Sequence, residues 1–115
     1  MKIVDLQSEY KVVDTRNVSF SIRIGDAQIG SSIVFLDDKE MARGDVADLS
    51  LGKGTKIKNK SLKVKSVVTD VNDMTNKTSI TYIFKGGVLD QSFSSNATVD
   101  ENGDSIIYRG IFALS

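Results

Sequence analysis

Residues 61–85 read SLKVKSVVTDVNDMTNKTSITYIFK, and this stretch decides the fold class. Apolar or small residues occupy every second position in its first part, at Leu62, Val64, Ser66 and Val68. The same alternation returns after a polar segment, at Ile80, Tyr82 and Phe84. Alternation with a period of two is typical of half-buried β-strands. The stretch therefore predicts two strands that form an antiparallel hairpin around a turn at 72–76.

The same pattern extends to both sides of this stretch. It predicts strands at 10–13, 18–24, 29–36, 88–99 and 105–114. Gly110 predicts a bulge or bend in the last strand, and Asn102-Gly103 predicts a hairpin turn before it. Residues 37–51 are rich in charge and predict either a short helical turn over 46–49 or an irregular connection.

These elements predict one all-β domain over residues 1–115. We expect an antiparallel β-sandwich of about eight strands, because short strands recur at intervals of about 8–12 residues. The alternative is a small lipocalin-like β-barrel, which would enclose a ligand cavity.

Composition and charge exclude several classes of function. The chain has 15 basic and 15 acidic residues, so it lacks the surplus of cations that nucleic-acid binding requires. No apolar run approaches the roughly 20 residues of a membrane-spanning helix. Residues 1–6 do not resemble a signal peptide. We therefore expect a cytoplasmic protein, or an exported one if a leader has been removed.

The chain contains no His and no Cys. It therefore lacks the usual general base near neutral pH, a thiol nucleophile and the ligands of structural zinc. We expect no cofactor and no catalytic activity.

A lysine-rich segment is the first candidate site. Five of its lysines, Lys56, Lys58, Lys60, Lys63 and Lys65, predict a patch for anions or for a partner. Lys56, Lys58 and Lys60 would share one face of an extended chain. Lys63 and Lys65 would share a face opposite Leu62 and Val64. The alternative interpretation is a solvated strand face that discourages aggregation.

An acidic turn is the second candidate site. Asp100, Asn102 and Asp104 have the spacing with which a calcium loop begins, and their oxygen atoms suit a hard cation. Ile111 occupies the position of the closing Glu, which favours a plain turn over a calcium site.

Three functions remain open at this point. The favoured one is a non-catalytic module that binds a protein partner or itself through strands and loops. The second is a β-barrel that binds a small ligand such as a lipid or a sugar. The third, and least favoured, is a carboxylate-dependent enzyme or a calcium-dependent module.

Overall fold

The computed structural model describes residues 2–115, which contain nine strands and one helical turn. The strands are β1 (Lys2–Tyr10), β2 (Asn17–Ile24), β3 (Ile29–Leu36), β4 (Lys39–Gly44), β5 (Leu49–Lys53), β6 (Ser61–Thr69), β7 (Lys77–Lys85), β8 (Gln91–Thr98) and β9 (Ser105–Leu114). The helical turn α1 is Gly54–Ile57. Within this part of the chain, no helix has the length and apolar character needed to cross a membrane.

The strands form two sheets. The five-stranded sheet has the order β1-β9-β6-β3-β4, and the four-stranded sheet has the order β5-β2-β7-β8. Neighbouring strands are antiparallel except for β1 and β9, which run parallel. The predicted all-β sandwich is confirmed, with nine strands instead of about eight. The barrel alternative is wrong, because the strands form two separate sheets.

The predicted hairpin of residues 61–85 is also wrong, because β6 and β7 belong to different sheets. β6 pairs with β3 and β9, whereas β7 pairs with β2 and β8. Both strands have apolar inward faces, and they bury these faces by packing across the gap of about 10 Å between sheets. The connection from Asp70 to Asn76 therefore carries the chain from one sheet to the other.

The Asn102-Gly103 turn also joins strands of different sheets. Gly103 has a φ of 86°, and the Asp104 N–H donates to the Glu101 carbonyl at 3.2 Å, so a turn does form. However, it connects β8 of the four-stranded sheet with β9 of the five-stranded sheet, and not two strands of a hairpin.

Other differences from the sequence interpretation concern individual elements. The charged residues 37–51 contain β4 and the start of β5, because charged side chains are tolerated on a sheet edge. The first strand covers Lys2–Tyr10 instead of 10–13. β9 passes through Gly110 without a register shift against β1 or β6. A Cβ at position 110 would lie 2.8 Å from the Phe112 ring, so glycine makes room for packing there and does not mark a bulge.

Aromatic rings fill the space between the sheets. Phe84 of β7 stacks on Tyr10 of β1 at 4.6 Å between ring centroids and also contacts Phe20 and Phe112. The buried hydroxyls are partly satisfied. Tyr108 exchanges a hydrogen bond of 2.6 Å with Thr78, and the Tyr10 hydroxyl donates to the Leu89 carbonyl at 2.7 Å. The core is thus held by apolar packing with a few internal hydrogen bonds.

The tyrosines predict that the protein unfolds in alkali. Burial raises the pKa of Tyr10, Tyr82 and Tyr108 above the ordinary value of 10.0. Above pH 10 the unfolded chain loses these protons while the folded state retains them, so the free energy of unfolding falls as the pH rises. We expect tyrosinate absorbance to appear in the same pH interval in which circular dichroism loses the strand signal. Tyrosines that titrate near pH 10.0 while the strand signal persists would contradict this prediction.

Candidate functional site

The outward-facing side of the five-stranded sheet, here called the outer face, is the most unusual surface of the molecule. On β6, Leu62, Val64 and Val68 are buried, so the alternate residues Lys63 and Lys65 point to solvent. Residues directly opposite these lysines on neighbouring strands share their side of the sheet. The outer face carries seven large apolar side chains: Ile3, Ile29, Ile33, Phe35, Val67, Ile107 and Ile111.

These apolar side chains form cross-strand rows with the lysines. Ile107 of β9 lies between Ile3 of β1 and Val67 of β6. Further along the sheet, Lys63 lies between Ile111 of β9 and Phe35 of β3. The outer face therefore combines an apolar surface with cations at its centre.

The outward side of the four-stranded sheet has a different composition. On β2, β7 and β8 this side has one large apolar residue, Ile83, and three cations, Arg23, Lys77 and Lys85. Its other residues are small hydroxyl and amide side chains: Ser19, Ser21, Ser79, Thr81, Ser92, Ser94, Asn96 and Thr98. The hydroxyls of Thr81 and Ser94 exchange a hydrogen bond of 3.0 Å. The outward side of the four-stranded sheet therefore has fewer large apolar residues than the outer face.

The charges of the outer face divide into paired and unpaired groups. Arg109 donates two hydrogen bonds to the Asp5 carboxylate, at 2.6 and 2.8 Å, and these lower the pKa of Asp5. Arg43 pairs with Glu40 at 2.7 Å. Within residues 2–115, neither Lys63 nor Lys65 has a carboxylate within 4.0 Å. The centre of the outer face therefore carries two positive charges without a partner.

A shallow hollow lies over the centre of the outer face. Its volume is about 580 Å³, and the residues that surround it include Phe35, Lys63, Lys65, Arg109 and Ile111. Asp5, whose carboxylate is paired with Arg109, also borders the hollow. The charges that remain are those of the two lysines, and these suit an apolar group that carries negative charge beside it. The hollow is open to solvent and lies outside the packed core.

The structure does not bring the five predicted lysines together. Lys63 and Lys65 lie on the outer face. The prediction of an extended chain for Lys56, Lys58 and Lys60 is wrong, because Gly54–Ile57 is a helical turn. Lys58 lies 3.6 Å from Asp14, and Lys60 lies 4.0 Å from Asp37. Only the last two members of the predicted lysine patch therefore belong to the candidate site.

The acidic turn is occupied by its own hydrogen bonds. Asp100, Asn102 and Asp104 are all exposed in the connection between β8 and β9. The Glu101 N–H donates to the Asp104 carboxylate at 3.1 Å, so this side chain stabilises the turn. Among residues 2–115, no three His, Cys, Asp or Glu side chains are placed together so as to hold a metal ion.

A buried carboxylate lies next to this turn. Asp70 is only 2% exposed, and its N–H donates to the Asp104 carbonyl at 2.9 Å. Neither of its carboxylate oxygens has a hydrogen-bond partner in the described part of the chain. A buried charge without a partner is costly, so this side chain opposes folding.

Sequence reasoning missed most of the outer face. It predicted a strand at 29–36 without assigning Ile29, Ile33 and Phe35 to solvent. It also singled out neither Arg109 nor Ile111. One signal in the sequence could have located this surface, namely the prediction that Lys63 and Lys65 face away from the core. Any strand paired with β6 must contribute its outward residues to the surface on which these lysines lie.

Comparisons with known proteins do not extend this description: no family model, no curated protein and no solved structure matches the chain.

We expect that removing the charge of the buried Asp70 side chain stabilises the protein. Asp70→Asn keeps the shape of the side chain and removes its charge, so we expect the free energy of unfolding to rise by about 1–3 kcal/mol. Denaturant unfolding at neutral pH measures this change. Asp100→Asn is the matched control, because Asp100 is exposed and should change stability by less than about 0.5 kcal/mol. A destabilised Asp70→Asn protein would contradict the prediction.

Calcium should leave the melting temperature unchanged. The Asp104 carboxylate already accepts a hydrogen bond from its own turn, and a ligand raises the melting temperature only if it binds the folded state. Thermal unfolding in about 1 mM calcium, compared with excess chelator, measures this. A higher melting temperature in calcium that disappears in Asp104→Asn would support the calcium-dependent module instead.

Proposed function

We propose that the protein is a non-catalytic interaction module that binds an acidic protein partner through the outer face. The contrast between the two sides of the sandwich carries this proposal. Both sides belong to the same small domain, yet the side formed by the five-stranded sheet has seven large apolar residues and the other has mainly serine, threonine and asparagine. The absence of His and Cys from the sequence supports a binding role over a catalytic one.

Exposure of the apolar side chains supports a partner on this surface. Ile3 is 52% exposed, Ile29 is 60% exposed, and Val67 and Ile111 are each 38% exposed. Single exposed apolar residues are common in folded proteins, but neighbouring ones, as in the cross-strand row Ile3, Ile107 and Val67, favour an interaction site. Covering this group removes apolar area from water and thereby stabilises the complex.

Charge supports an acidic partner. Lys63 and Lys65 lack carboxylate neighbours within residues 2–115, whereas Arg109 and Arg43 each have one. A partner with Asp or Glu beside its apolar residues would neutralise both lysines and would approach in the correct orientation. A basic partner would meet uncompensated repulsion at the centre of the surface.

The form of the surface supports an amphipathic segment of that partner. The hollow near Phe35 and Ile111 has a volume of about 580 Å³, which is enough for one or two apolar side chains. In the described part of the chain the one helical turn, α1, contacts β5 of the four-stranded sheet, so no helix covers the outer face there. A helix that packs its apolar stripe on a sheet is a common two-layer arrangement.

Photo-crosslinking in the host cell tests the location of the binding surface. A crosslinking amino acid at position 111 should give a protein adduct, because Ile111 lies at the edge of the hollow. The same amino acid at position 83 is the matched control, because Ile83 points outward from the opposite sheet. Equal adducts from both positions, or none from position 111, would overturn the proposal.

Charge reversal tests the chemistry of the partner. Once the crosslinked partner has been identified and purified, its affinity for the double variant Lys63→Glu with Lys65→Glu can be measured. We expect the Kd to rise at least about tenfold, because negative charges of the two proteins then face each other. Lys56→Glu is the control, because Lys56 lies on α1 and away from the outer face. An unchanged Kd would contradict the proposed acidic partner. Binding of phosphatidylglycerol vesicles without any protein adduct would indicate a lipid surface instead.

A further inference from the structure

The two sheets end in four edge strands, and one of them lacks the usual protection against pairing. β4 contains Lys39, Glu40 and Arg43 and has a register shift against β3. β5 has only five residues, with a register shift against β2, and β1 carries charges at both ends and in its middle. Charges, bulges and short length are the means by which proteins protect sheet edges.

β8 has none of these features. It reads QSFSSNAT over Gln91–Thr98, with no charged residue and no proline. Its pairing with β7 runs through all eight residues without a register shift. A regular and uncharged edge of this length is a template for another strand.

The hydrogen-bond pattern identifies the backbone groups that β8 offers. The Val99 N–H donates to the Asn76 carbonyl at 2.9 Å, directly before the β7–β8 ladder. In an antiparallel ladder every second residue directs both its N–H and its C=O to the neighbouring strand. Residues 97, 95 and 93 therefore pair with β7, while Ser92, Ser94 and Asn96 direct their backbone groups outward.

The outward groups of these three residues have no partner within residues 2–115. The neighbouring outward carbonyl, that of Thr98, accepts a hydrogen bond from the Lys2 side chain. This contact agrees with the alternation of backbone groups along β8, in which the Thr98 carbonyl is directed outward. The Lys2 side chain thereby occupies one end of the β8 edge. Ser94 lies at the centre of the free section, with Ser92 and Asn96 at equal distances on either side.

We propose that a second copy of this chain adds to β8 in antiparallel orientation, with a twofold axis at Ser94. Ser94 then faces Ser94 of the other copy, and each Ser92 faces an Asn96. These three pairs exchange about six main-chain hydrogen bonds, two for each pair. The four-stranded sheets of the two copies become one continuous antiparallel sheet, and the absence of charge on β8 means that the identical strands do not repel each other.

The adjacent edge strand is compatible with the same axis. β1 runs antiparallel beside β8, because Lys2 contacts Thr98 while Tyr10 contacts Leu89. The twofold axis therefore brings the end of β1 that carries Lys2 in one copy to the end that carries Glu9 in the other. Lys2 of one copy therefore lies far from Lys2 of the other, so the approach of a second copy does not bring these like charges together.

Sedimentation velocity over a range of concentrations tests the association. The interface is small, so we expect a weak dimer with a Kd of about 10–1,000 µM. Ser94→Pro should raise this Kd at least about tenfold, because it removes a central donor and its ring blocks the approach of the other strand. The variant should still fold, because the Ser94 N–H faces solvent on an edge strand. A monomer at all concentrations would overturn the proposal.

A charged pair of variants separates edge pairing from other modes of association. Ser94→Lys places two like charges directly opposite each other and should also weaken the dimer at least about tenfold. Thr81→Lys is the matched control, because Thr81 lies beside Ser94 on the inner neighbour β7 and should leave the dimer intact. Equal weakening by both variants would overturn the proposal.

Amide hydrogen exchange gives a readout at the level of residues. The amides of Ser92, Ser94 and Asn96 should exchange rapidly in dilute protein and become protected as the concentration rises. Self-association at high concentration with these three amides still exchanging rapidly would assign the contact to another surface and overturn this proposal. Lys63→Glu should not affect the protection, so the edge and the proposed function of the outer face are tested independently.

Discussion

The contact between aromatic rings in the gap between the two sheets is the interaction on which the rest of the structure depends. The Phe84 ring lies 4.6 Å from Tyr10, 4.8 Å from Phe20 and 5.0 Å from Phe112, and these partners belong to β1, β2 and β9. Each such pair contributes about 0.5–1.5 kcal/mol beyond its buried area. Because side chains alternate along a strand, rings that point inward also determine which residues point outward. Phe112 faces the core beside Gly110, and Ile111 is thereby directed to the outer face.

Alternation in the sequence predicted the buried faces of β2, β6 and β7 correctly, but it could not predict which strands pair. Leu62 and Ile80 are both fully buried, as expected, yet they lie in opposite sheets. A polar connection such as 70–76 can close a hairpin or cross between sheets, and its composition is compatible with both. β3 was ambiguous for another reason. It is apolar on both sides, and only its pairing with β6 shows that Val34 is inside while Phe35 is outside.

The candidate site could not be assembled from the sequence for the same reason. Its residues belong to β1, β3, β6 and β9, and the strands that lie next to each other in the sheet are far apart in the chain. Ile111 and Phe35 flank Lys63 in space although 76 positions separate them in the sequence. Lys63 and Lys65 belong to a local cluster of lysines in the sequence. The same cluster contains Lys58 and Lys60, which form ion pairs away from the outer face. Local density of charge was thus a weaker guide than the side of the strand on which each charge lies.

The β8 edge and the outer face can be occupied at the same time, and a dimer formed through β8 would present two outer faces to one partner. β8 is an edge of the four-stranded sheet, whereas the outer face belongs to the other sheet, so pairing at the edge leaves the outer face uncovered. A twofold axis that joins two antiparallel edges into one continuous sheet stands perpendicular to that sheet. Both copies therefore turn their outer faces to the same side of the dimer. Two weak contacts to a partner with repeated acidic segments would then act together, and the local concentration after the first contact raises the overall affinity by about 10²–10⁴ when the spacing matches.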